Sequence, residues 1–243
     1  MITAVETGSA EWHWWRSYVY LFLARLYRQE PDSELLETIG GQAALADMFA
    51  RIAGLAHTAA ALAADVAAHA GQPAAYQERL AADYSRLFVG PGPLAAPPWE
   101  SVYRSRERLV FGEQTLAVRE CYHSFGLASK RQKQEPDDHM ALELEFVAWL
   151  CRQAAEAAEQ AEQQRFLEGQ QLFLTEHILQ WAPALCKDMQ ENAKTAFYRY
   201  VAELTLGWLT AESKVSPGVD EGTAALTARR KRGVKAARLP DKK

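Results

Sequence analysis

Apolar side chains in this chain recur every three or four residues, and no stretch of useful length alternates apolar with polar. That spacing confines the fold to packed helices and requires no strands. The run from Trp12 to Arg28 is the plainest case: Trp15, Tyr18, Val19, Phe22, Leu23 and Leu26 recur at helical spacing. Trp12, Trp14 and Trp15 crowd its entry, and core anchoring accounts for them better than a ligand box, because aromatics dominate core burial. Pro31 to Ser33 breaks this helix, and a short second one ends near Gly40 and Gly41. Gln42 to Ala70 is rich in Ala and reads as helix. Helices are expected over Ala74 to Phe88, Glu113 to Phe125 (closed by Gly126), Pro136 to about Gln164, Phe166 to Trp181 with an interruption at Pro183, and Asp188 to Thr210. The expected fold class is all-α. A single globular helical domain of two closely joined subdomains spans residues 1–211, followed by a disordered basic tail over 212–243.

With 243 residues and 49% hydrophobic content, the chain can bury a sizeable core. It holds no run of 18 apolar residues, so no transmembrane helix or membrane insertion is expected. The start, MITAVETGSAEWHWW, has neither the basic region nor the apolar run of a signal peptide. Three cysteines, Cys121, Cys151 and Cys186, without CxxC spacing argue against a disulfide scaffold or a zinc site, and fit a reducing cytoplasm. The whole chain carries 27 Lys+Arg and 31 Asp+Glu, a net −4. Residues 211–243 hold nine basic and four acidic side chains, which leaves −9 on residues 1–210. An acidic body favours cationic partners and disfavours nucleic acid.

Two stretches stand out from this helical background. In Tyr84 to Tyr103, YSRLFVGPGPLAAPPWESVY, the prolines fix φ, lack N–H donors and push their predecessors out of the α region. This is a stiff extended loop between helices, with Trp99 at its tip. Tyr84, Leu87 and Phe88 share the helix face that leads into it. In Glu135 to Trp149, EPDDHMALELEFVAW, Pro136 reads as a first-turn proline. Asp137 and Asp138 then fall where a helix dipole favours negative charge. His139, Glu143 and Phe146 share one stripe, and Asp138, Leu142, Glu145 and Trp149 the next. Structural readings stand beside functional ones: Trp99 as a core side chain, and the acidic start as simple dipole complement.

Together, YSRLFVGPG…APPWESVY and EPDDHMALELEF resemble the TorD/DmsD family of redox-enzyme maturation chaperones. The E-P-x-D-H segment is the most specific part, matched by Glu135, Pro136, Asp138 and His139. Phe197 to Leu209 resembles the family's final helix, and the resemblance runs from roughly Trp12 to Leu209. Tyr84 departs from the tryptophan of the DMSO-reductase branch, so the client stays open. The resemblance implies a cytoplasmic chaperone, not an enzyme. Its partners would be the twin-arginine signal peptide and the apo catalytic subunit of a molybdenum-cofactor reductase of DMSO or TMAO reductase type, held until cofactor insertion. The implied peptide-binding residues are Tyr84, Leu87, Phe88, Pro98, Trp99, Asp138 and His139. The residue chemistry adds Glu135 and Asp137. Carboxylates there suit guanidinium groups, and the apolar set suits a hydrophobic leader segment in a groove.

No P-loop, HExxH, CxxC or GxSxG motif is present, and no cofactor, nucleotide or metal is implied. His139 and Glu143 supply only two metal ligands. An Asp138/His139 acid–base pair with Ser101 as nucleophile is a hydrolase alternative that nothing in the spacing ties together. A further alternative is a non-enzymatic helical scaffold whose basic tail binds nucleic acid or anionic surfaces. The oligomeric state is left between a monomer and a dimer that swaps segments across the proline loop.

Overall fold

The computed structural model describes residues 8–41, 43–52, 54–129 and 135–214. The polar loop expected at 130–134 and the basic tail beyond Lys214 lie outside the described residues. Eleven α-helices are present among those described: α1 (Ala10–Arg28), α2 (Ser33–Gly40), α3 (Ala43–Phe49), α4 (Leu55–Ala68), α5 (Pro73–Tyr84), α6 (Glu100–Arg104), α7 (Glu113–Ser124), α8 (Met140–Glu156), α9 (Gln160–Phe173), α10 (Leu179–Asn192) and α11 (Ala196–Glu212). The described residues contain no strand, only an antiparallel bridge between Trp99 and His139. The fold is all-α.

Local chemistry sets many of the ends. The Ser9 hydroxyl accepts the Trp12 N–H at 3.1 Å and starts α1, and Asp32 accepts the Leu35 N–H at 2.9 Å to start α2. Pro73 opens α5, and Gly126, at φ 75°, follows α7 in the left-handed conformation that helix ends favour. One continuous core runs through the helices. α1 packs chiefly on α8, while α11 packs on α10 and α4. Trp15 and Tyr20 of α1 both meet the Trp208 ring of α11 edge-on at 5.4 Å.

Several boundaries differ from the sequence expectation. Gln42 to Ala70 is two helices, broken ahead of Gly54, whose φ of 87° a side chain would resist. The helix expected from Pro136 begins at Met140, because Asp137 and Asp138 are drawn into bonds with other elements. It ends at Glu156, and α9 is separate. Pro183 does not interrupt the last part of the chain. It is the fifth residue of α10, inside a helical run that continues from the π turn, where its missing N–H removes one helical bond. The break falls instead at 193–195, where the Asp83 carboxylate accepts the Lys194 and Thr195 N–H groups at 2.9 and 2.8 Å. Two short π-helical turns, Ser85–Val89 and Leu174–Ile178, had no sequence signature. The boundary expected at 211/212 also moves. Glu212 is the last residue of α11 and is buried against Arg16 and Tyr20.

Candidate functional site

The π turn Ser85–Val89 ends α5 and releases the chain into the proline loop. The Gly90 N–H returns to the Ser85 carbonyl at 2.7 Å. Gly90 itself has φ 103° and ψ −168°, a combination open essentially to glycine alone. The Ala95 and Ala96 N–H groups bond back to the Arg86 and Leu87 carbonyls at 3.2 and 3.0 Å. The loop therefore lies folded against its own helix rather than extending from it.

Its far end is clamped to the E-P-D-D-H segment. The Met140 N–H donates to the Pro98 carbonyl at 2.9 Å, and the Glu100 N–H donates to the Asp138 carbonyl at 3.0 Å. Asp138 adds a side-chain clamp: Oδ2 accepts the Ser101 N–H at 2.7 Å, and Oδ1 accepts the Thr115 hydroxyl at 2.7 Å. It thus caps the first turn of α6 from across the chain and ties α7 to it. Asp137 is likewise committed. Its Oδ2 accepts Arg119 Nε at 2.6 Å, and its carbonyl accepts the Tyr122 hydroxyl at 3.0 Å. Both carboxylates are fully buried. This corrects the expectation that they stand open for guanidinium groups, and that they sit in a first helical turn. Internal donors have taken both Asp138 oxygens and Asp137 Oδ2, because a buried charge must be paired, while Asp137 Oδ1 has no hydrogen bond among the described residues.

His139 is the N-cap of α8, and its Nδ1 accepts the Ala141 N–H at 3.1 Å. Burial, then the charge of Arg28, lowers its pKa to about 3, so the ring is neutral and an acceptor. That role leaves neither the metal pair with Glu143 nor the acid–base pair with Asp138 in place. Glu143 is fully buried beside Glu100 and Asp138, and its Oε2 accepts Trp181 Nε1 at 3.1 Å. Burial first, then those two carboxylates, raises its pKa well above 4.5. The described residues hold no group of three or more His, Cys, Asp or Glu placed to bind a metal.

The apolar half is divided. Tyr84, Leu87 and Phe88 belong to the core, a correction to their expected place on the wall of an open groove. The Tyr84 hydroxyl donates to the Tyr27 carbonyl at 3.0 Å, and the Phe88 ring packs on Tyr27, Tyr84 and Tyr198. Leu87 and Phe88 lie on the π turn Ser85–Val89, and Tyr84 is the last residue of α5 before it. Pro98 is buried. Trp99 is half-buried, edge-on to His139 with ring centroids 5.7 Å apart, and its indole N–H makes no hydrogen bond among the described residues. Glu135 is half-buried at the start of the segment. At the end of the π turn, Val89 is 65% exposed.

A sequence model described as nitrate reductase delta subunit matches residues 50–187, which contain every residue of this site. The chain belongs to the TorD/DmsD family. Among curated relatives, the Tat proofreading chaperone DmsD of Salmonella typhi is 35% identical over 128 residues, 53% of this chain and 57% of that protein. The chaperone TorD of Aliivibrio salmonicida is 28% identical over 142 residues, 58% of this chain and 66% of its own length. TorD of Vibrio cholerae is 30% identical over 133 residues, 55% and 60% of the two chains. The chain thus spans less than two thirds of these relatives' own lengths. In this TorD/DmsD member, the partners that sequence reasoning missed are Ser101, Thr115 and Arg119. Thr115 had one available signal, as a polar residue on the buried stripe that also carries Val118 and Tyr122.

Proposed function

We propose that this protein is a cytoplasmic, client-specific chaperone. It binds the twin-arginine leader and the apo form of a molybdenum-cofactor reductase of DMSO or TMAO reductase type, and withholds it from export until the cofactor is in place. Family membership and the names of its relatives support this reading. Trp99 is the observation that carries it: a half-buried indole on a loop clamped at both ends. A rigid aromatic on a fixed loop is the usual chemistry of a binding hot spot, because little side-chain entropy is lost on contact. The leader's apolar segment would lie against Trp99 and Val89. Glu135 would take an arginine through a charge-assisted bond. Tyr84, Leu87, Phe88 and Pro98 would back the loop, while Asp137, Asp138 and His139 hold its far end.

Trp99→Ala tests this directly. The clamping bonds are made by backbone atoms and by Asp138, so the fold should persist, with an unchanged circular dichroism spectrum. Affinity for a twin-arginine leader peptide, measured by calorimetry, should fall by about 2 kcal/mol, roughly 30-fold. Unchanged affinity in a folded variant would remove Trp99 from the site.

A further inference from the structure

The structure places a second chemical cluster where α6, α7 and the π turn Leu174–Ile178 converge. His177 lies on that turn. Its Nδ1 is 3.0 Å from Glu100 Oε2, and its Nε2 is 3.5 Å from the Cys121 sulfur on α7. Glu100 is fully buried and also accepts from Arg104, which in turn donates to the Glu176 carbonyl at 2.7 Å. Arg104 therefore ties α6 to the π turn and holds the ring between sulfur and carboxylate. Phe173 packs beside the imidazole with centroids 4.8 Å apart. Burial alone would lower the His177 pKa, but the contacts with Cys121 and Glu100 raise it to about 9.

The three thiols of the chain differ in a way that fits this arrangement. Cys151 and Cys186 are fully buried, and burial pushes both up to about 12. Cys121 alone is half-buried and has an imidazole at its sulfur. A carboxylate on one ring nitrogen orients a histidine so that the other nitrogen handles a nucleophile's proton, whatever the fold around it.

We propose that Cys121, His177 and Glu100 form a reactive-thiol site that undergoes thiol–disulfide exchange with low-molecular-weight disulfides. The Cys121 sulfur attacks one sulfur of the disulfide as its proton stays on His177 Nε2. A new Sγ–S bond forms while the old S–S bond breaks. The leaving sulfur takes the proton from Nε2 and departs as a thiol. Cys121 is oxidised to a mixed disulfide, the departing sulfur is reduced, and no other oxidant enters. Glu100 acts as a positioning residue through the ring.

Oxidised glutathione is the probe, used on the full chain at pH 7 with intact-mass and peptide-mapping readouts. One glutathione should add per chain, at Cys121, about tenfold faster than to an unstructured cysteine peptide. Cys151 and Cys186 should stay unmodified until the protein is denatured. His177→Gln should slow the reaction about tenfold without changing the circular dichroism spectrum. A wild-type Cys121 no faster than the peptide would overturn the proposal, and that comparison needs no variant to fold. A folded His177→Gln that reacts at the wild-type rate would remove the imidazole from the chemistry.

Discussion

At the scale of single residues, Asp138 is the side chain whose meaning changes most on folding. Read along the chain, it is an acid placed to meet arginines or a helix dipole. In the fold each of its oxygens receives a donor at 2.7 Å, one from a backbone amide and one from a hydroxyl. Asparagine has the same shape but only one acceptor oxygen, so one donor would face an amide N–H. Asp138→Asn is therefore expected to cost about 1–3 kcal/mol. For a domain of this size that is a melting temperature lower by roughly 2–12 °C, measurable by calorimetry. The effects of Asp138→Asn and of changing both leader arginines to Gln should add, since both Asp138 oxygens are already bonded within the chain. Strong coupling between the two would show that the carboxylate turns outward on binding. The residue was legible as important. Its partners were not, because they lie 37 and 23 positions away and reach it only through packing.

At the scale of elements, helix existence followed from periodicity, while helix ends followed from side chains elsewhere in the chain. α8 starts late because Asp137 and Asp138 are committed to α6 and α7. α10 stops just ahead of Lys194 and Thr195, whose amides Asp83 captures. The end of α11 offers the sharpest test. Arg16 bonds Glu212 through Nε at 2.9 and 3.1 Å and Nη2 at 2.5 Å, and the Tyr20 hydroxyl adds a bond at 2.8 Å. Neither charged side chain is more than 6% exposed. Breaking a buried pair from one side leaves an uncompensated charge, so Glu212→Gln should lower stability by about 3–5 kcal/mol in urea titrations. Removal of residues 215–243 should leave the midpoint unchanged, because the helical apolar spacing does not extend into them. A lower midpoint for the truncated chain would make the tail part of the fold.

At the scale of the whole molecule, buried titrating groups give stability a defined pH dependence. His13 and His139 are held near 4 and near 3, by burial first and then by the charges of Arg16 and Arg28 respectively. Below their ordinary value of 6.5 the unfolded chain binds more protons than the folded one, so stability falls as pH drops from 6.5. His177, raised to about 9, works the other way: its contribution is complete below 6.5 and lost as pH rises through 9. Glu143, raised above 4.5, has the same sign as His177. Between 4.5 and 6.5 the two lowered histidines outweigh one carboxyl, and above 6.5 His177 lowers stability as pH rises. Maximum stability is expected near pH 6.5, checked by urea midpoints from pH 4 to 9. His177→Gln should flatten the alkaline limb, whereas a wild-type curve still rising at pH 9 would contradict the assignment.

The sequence by itself determined that the chain is helical, which helices carry the core, and where the stiff proline loop breaks the helical pattern. These are properties of local spacing and of proline and glycine conformation, and each is expressed within a few residues. It also carried the E-P-x-D-H segment and the proline loop, both inside the stretch 50–187 that the family model matches. Only the tertiary structure decided which side chains are available for chemistry. Leu87 and Phe88 are buried on a π turn that docks into the core, and Asp137 and Asp138 are buried with donors from Arg119, Ser101 and Thr115 within reach. Cys121, His177 and Glu100 meet across separations of 56 and 77 positions. Contacts at that range depend on how whole helices dock, and helix periodicity does not encode it.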